Sequence, residues 1–144
     1  MRVAGVMAAV TLLLASDAAA AGDWKAPMKI RIQLESRTLT ATLEEGEAAR
    51  EFLSMLPLTL TLSDYNSTEK VADLPSKLST KGAPAGIDPE VGDLAYYAPW
   101  GNLAIFYRDF GYSKGLVRLG RLDSGVEALS GRESLRVTIE RAAP

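Results

Sequence analysis

Tyr97, Trp100, Asn102, Phe106 and Arg108 crowd into one short stretch, GDLAYYAPWGNLAIFYRD. Residues 92–107 alone hold five of the chain's ten aromatic residues. Aromatic walls with a few polar fixing groups are what a groove for a peptide or a small apolar ligand requires. In that reading Tyr97 and Trp100 form the walls, and Asn102 and Arg108 supply the polar groups. The competing reading is packing. Tyr96, Phe106 and Tyr107 sit at strand spacing and would fill a core and its coverings. Asn102 is then a turn residue and Arg108 a solvated strand end. A second candidate pair, Asp64 and Tyr65, lies in SDYNS after an apolar strand, where a loop is held firmly enough to present chemistry. Asp, Asn and Ser are also ordinary turn formers at such a place.

Two absences narrow the reactions open to these residues. The chain has no cysteine, so there is no thiol nucleophile and no thiolate metal site. It has no histidine, so there is no imidazole base and no Ser-His-Asp triad. Carboxylates, Lys, Arg, Tyr, Ser and Thr are left. Asp64, Asp93 and Asp109 all fall at predicted strand ends, but nothing in their spacing sets two of them at the separation acid–base pairs use. No calcium-loop spacing occurs. No cofactor and no metal are expected.

The chain has 144 residues and a formal net charge of −2, with both signs spread along it. A nucleic-acid binder would carry a basic stripe, and none is present. The first residues, MRVAGVMAAVTLLLASDAAAAG, have an early Arg2, an apolar run from Val3 to Ala15 and then small residues. This is the pattern of a secretory leader, with cleavage expected after Ala20 or Ala21. The apolar run falls short of the roughly twenty residues a membrane-spanning helix needs. Residues 1–21 are thus expected to be removed, leaving no stable membrane anchor and an exported protein, periplasmic or secreted. A linker follows at 22–27, and residues 28–142 form one domain.

Within that domain the period is two. Ile30, Ile32 and Leu34 alternate with polar residues, as do Leu39, Ala41 and Leu43, and the two runs read as a hairpin. Ala49, Phe52, Leu53 and Leu56 then mark one face of a helix with acidic residues at its start and Pro57 at its end. LTLTL follows as a strand. KVADLP is a possible short strand, and SKLSTKGAPAGIDPE reads as a long surface loop. The two aromatic runs flank a turn at Pro99–Gly101, and both of their faces carry large side chains. LVRLGRL is a strand, DSGVEALS a short helix capped by Asp123 or Ser124, and ESLRVTIE a last strand with Leu135, Val137 and Ile139 inward. Eight strands in one mainly β domain imply an antiparallel barrel or sandwich.

The order of these elements, with FLSMLPLTL, GDLAYYAPWGNLAIFY and LGRLDSG as its most specific pieces, resembles the cyclophilin-like fold proteins of bacteria. The resemblance implies a closed eight-stranded barrel with two short capping helices. Cyclophilins isomerise the bond before proline, using a guanidinium beside an apolar pocket. In this chain Leu58–Leu78 contains no arginine, and their pocket histidine has no counterpart. Two functions are therefore carried forward. One is a binding domain for a peptide or small molecule, using the groove near Trp100 and the Thr80–Glu90 loop. The other is a prolyl isomerase with an altered site.

Overall fold

The alternation read from the sequence folds into strands whose apolar faces all turn toward one interior. The computed structural model describes residues 28–131 and 134–143, so the expected leader (1–21) and linker (22–27) lie outside the described residues. The elements run β1 (Met28–Gln33), β2 (Thr38–Leu43), α1 (Glu47–Met55), β3 (Leu58–Tyr65), β4 (Glu69–Asp73) and β5 (Gly86–Ile87). They continue with β6 (Asp93–Tyr97), β7 (Asn102–Phe106), β8 (Ser113–Lys114), β9 (Leu116–Leu122), a 3₁₀ turn (Val126–Leu129) and β10 (Ser134–Arg141). Eight strands close on themselves in the order β1-β10-β3-β4-β7-β6-β9-β2, every pair antiparallel. No helix among the described residues is long and apolar enough to cross a membrane.

Inward residues of every barrel strand form one cluster, with Ile30, Ile32, Leu94, Leu103, Ile105 and Ile139 fully buried. Leu135, Val137 and Ile139 face inward as their spacing implies. The helix α1 buries Phe52 and Leu53 in the same cluster, and each such side chain contributes roughly 1.5–3 kcal/mol. Tyr96 also points inward, and its Oη accepts the buried backbone N–H of Leu78 at 3.1 Å. That bond satisfies the phenol and ties the start of the long loop to the barrel.

The long loop is not wholly irregular. Its Gly86–Ile87 pairs with Ser113–Lys114 as a two-stranded ribbon outside the barrel. The ribbon needs a glycine, since a Cβ at position 86 would run into the Ser113 carbonyl and lie 2.7 Å from Lys114 Cα. Ile87 joins a second, smaller apolar cluster on the barrel's outer wall with Ala95, Ala104, Phe106 and Leu116. Strands β6 and β7 are thus covered on both faces, as their large side chains on both sides imply.

The second expected helix is a single 3₁₀ turn. Its first residue follows Gly125 in a left-handed conformation (φ +84°), and no side chain caps it. Asp123 is drawn away instead. Its carboxylate accepts hydrogen bonds from Thr40 Oγ1 at 2.8 Å, Thr42 Oγ1 at 2.6 Å and Lys29 Nζ at 3.0 Å. Those partners hold its carboxyl below the usual aspartate range against the opposing effect of burial.

Candidate functional site

Strand pairing on the outer wall sets the floor of a small cleft. Tyr65 of β3 lies directly opposite Glu69 of β4, and Glu69 directly opposite Phe106 of β7. Neighbouring residues across a sheet share a face, so the three form one row. Asn102 lies four residues before Phe106 on the same strand and so on the same face, paired with Tyr97 of β6. The row and the pair line a cleft of about 140 Å³, completed by Trp100 from the β6–β7 turn, Phe110 from the loop after β7, Ser113 of β8 and Leu116 of β9.

The rings hold one another. Trp100 meets Tyr97 edge to face at 5.3 Å between centroids and Tyr65 at 5.7 Å. Phe106 and Phe110 meet at 5.9 Å. Such pairs contribute about 0.5–1.5 kcal/mol each beyond burial. Trp100 nevertheless stays 62 % exposed, so much of its ring is open to solvent or to a ligand.

Two polar groups lie among these rings. Asn102 is 4 % exposed; its Nδ2 donates to the Leu103 carbonyl at 3.1 Å, while its Oδ1 has no donor. A buried acceptor left without a partner costs about 1–3 kcal/mol. Glu69 is 8 % exposed and accepts from Thr68 Oγ1 at 3.3 Å. Burial, aided by the nearby charge of Asp64, raises its carboxyl above the ordinary glutamate value. Among the described residues no lysine or arginine forms an ion pair with Glu69.

Five of the seven residues singled out in the sequence therefore border one cleft: Tyr65, Tyr97, Trp100, Asn102 and Phe106. Phe106 serves both earlier readings at once, buried in the outer cluster and edging the cleft. Asp64 and Arg108 stand apart from it. Asp64 accepts from Lys70 Nζ at 3.1 Å, from the Ser67 amide at 3.1 Å and from Tyr107 Oη in a short bond. Asn66 and Ser67 both adopt φ +55°, the left-handed backbone that a tight hairpin turn uses. Arg108 lies over the Tyr107 ring at 5.9 Å. The Thr80–Glu90 loop does not border the Trp100 cleft. Lys81–Pro84 and Ile87 line a different cleft of about 370 Å³ at the start of α1. Glu69, Phe110, Ser113 and Leu116 were not singled out from the sequence.

The aspartates at strand ends do not form an acid–base pair. Asp64 is engaged by Lys70 and Tyr107, whereas Asp93 is fully buried and accepts from Arg118 Nε at 2.9 Å and Arg121 Nε at 3.0 Å. It also accepts the Glu90 amide at 2.8 Å, behind Gly92 at φ +95°. Two guanidiniums on a dry carboxylate make a structural clamp.

Comparison with known proteins agrees with the topology. Across 84 % of this chain and 99 % of the other, the fold is similar to the solution structure of the hypothetical protein AF2241 from Archaeoglobus fulgidus, with a TM-score of 0.58 and 22 % identity. No curated protein matches the sequence. The family model described as "Cyclophilin-like family" matches residues 32–140, most of the chain. The chain belongs to the cyclophilin-like family.

Proposed function

We propose that this protein is an exported binding module that holds a small ligand, or the tip of a peptide side chain, in the Trp100 cleft. The observation that carries the reading is Trp100, which stays 62 % exposed at the cleft although Tyr65 and Tyr97 hold its ring edge to face. The cleft is smaller than the roughly 300–1,000 Å³ of pockets that swallow whole drug-sized molecules. It suits one functional group of a ligand whose remainder lies in solvent. Export rests on the leader pattern in residues 1–21.

An isomerase needs a guanidinium at the pocket that grips the proline ring. The residues bordering the cleft include no arginine, and the nearest in sequence, Arg108, lies on Tyr107. A protease-coupled assay on proline peptides is therefore expected to show no acceleration at micromolar protein. Acceleration abolished by Trp100→Ala would replace the binding reading with the isomerase. For binding itself, NMR titration with pooled short peptides and small fragments is expected to shift the Trp100 indole N–H together with the Tyr97, Phe110 and Ser113 amides. Shifts confined to the 370 Å³ cleft at α1 would refute it.

A further inference from the structure

We infer that the group taken into the Trp100 cleft is an alkylammonium cation, with Glu69 as its counter-charge. The inference rests on the binding reading above and names the ligand's chemistry. Glu69 is the one charged residue bordering the cleft, and no lysine or arginine borders it. Its carboxylate forms no ion pair among the described residues and accepts only from Thr68 Oγ1 there. An anion would meet the Glu69 carboxylate and no cation. A neutral apolar group would leave the carboxylate without a counter-charge in a drier site, which costs more than leaving the cleft wet. A cation neutralises the carboxylate.

The walls point the same way. Ring faces carry negative quadrupole potential and attract cations, tryptophan most strongly, and a desolvated contact contributes about 2 kcal/mol. Tyr65, Tyr97, Trp100, Phe106 and Phe110 all border the cleft. Their edge-to-face packing fixes the Trp100 ring in place before a ligand arrives. The chain already uses this contact internally, since Lys70 Nζ stands 5.6 Å from the Tyr107 ring centroid. A carboxylate held among rings also explains why Glu69 can remain buried on an outer wall: a bound cation lowers the cost of its charge. The small volume admits a methylated or primary ammonium head and leaves its chain outside.

The test is an NMR titration of the full-length protein as it is produced. The probes are choline, its uncharged isostere 3,3-dimethylbutan-1-ol and butyrate. The ammonium is expected to shift the Trp100 indole and Asn102 side-chain amide saturably, binding roughly tenfold or more tighter than the isostere, with butyrate inert. Glu69→Gln is expected to weaken the ammonium roughly tenfold while leaving the isostere unchanged. Trp100→Ala, at a largely exposed turn position, keeps the fold and weakens both. A short peptide bearing trimethyl-lysine, set against choline, tells whether the cation arrives on a polypeptide or free. Equal binding of ammonium and isostere, or indifference to Glu69→Gln, overturns the cation and leaves the binding reading standing. No shift in the cleft with any probe or with the peptide pools overturns both.

Discussion

Asp64 and Lys70 stand directly opposite one another on β3 and β4, with Lys70 Nζ 3.1 Å from Asp64 Oδ1. The lysine is fully buried and the aspartate partly open. The Tyr107 hydroxyl, then Lys70 and the Ser67 amide, hold the Asp64 carboxyl below its ordinary value of 3.8, against burial. A depressed carboxylate contributes stability above its unfolded pKa and loses it as pH falls through the folded one. Asp64→Asn should flatten stability against pH on the acid side, below about pH 4. At pH 7 it should cost about 1–2 kcal/mol, because buried Lys70 loses a charged partner while Asp64 is already partly screened. Chemical denaturation at a series of pH values measures both.

Tyr107 answers at the other end of the scale. Burial, then the hydrogen bond to Asp64 and its charge, push its phenol up to about 12. A raised pKa means the protonated form supports the fold. That support is complete below pH 10 and is lost as pH rises toward 12. Ultraviolet titration should therefore show a late tyrosine among the five in the chain. Tyr107→Phe should delete that late step. If all the tyrosines ionise near pH 10, the bond to Asp64 is not formed in solution.

Glu69→Gln should raise stability at neutral pH. The folded carboxyl titrates above its ordinary value of 4.5 because it is buried. Its contribution is present below the unfolded pKa and is lost as pH rises through the folded value, so the ionised group weighs against folding at pH 7. Removing the charge is expected to add about 1 kcal/mol at pH 7. Near pH 4 it should change little. Thermal melts at the two pH values decide it, and equal shifts at both would contradict the burial of Glu69.

Gly86→Ala should open the ribbon without unfolding the barrel. The new methyl would collide with the Ser113 carbonyl and stand 2.7 Å from Lys114 Cα. Overpacking of this kind costs about 1–3 kcal/mol. Amide exchange is expected to quicken at residues 86–87 and 113–114 and stay slow in β1 and β10. Any ligand of the Trp100 cleft should bind more weakly, because Ser113 edges it. Uniform loss of protection across all strands would instead make the ribbon part of the barrel's own cooperative unit.

The barrel was largely legible because most of its strands obey strict alternation. Ile30 and Ile32, or Leu135, Val137 and Ile139, can face only one way without exposing apolar surface. β4 hid because it breaks that code. Lys70 shares the inner face with Ala72, neutralised by Asp64, while Val71 packs on the outer wall. With a charge inside and an apolar residue outside, EKVAD loses its period, and Glu69 went unremarked as a lining residue. The ribbon was equally silent, since two-residue strands carry no periodicity. The 3₁₀ turn was read as a capped helix because Asp123 is a natural cap by type. Three donors elsewhere claim it, and only the fold brings them within reach.

Closure of the cylinder decides how any macromolecular partner must approach. Each barrel strand pairs with two neighbours over at least part of its length, so no strand presents a full open edge for an extended polypeptide to join as a ninth strand. Recognition of this wall has to run through side chains projecting from it. The ribbon keeps a rim on either side, and at two residues a strand these are too short to template a fibre.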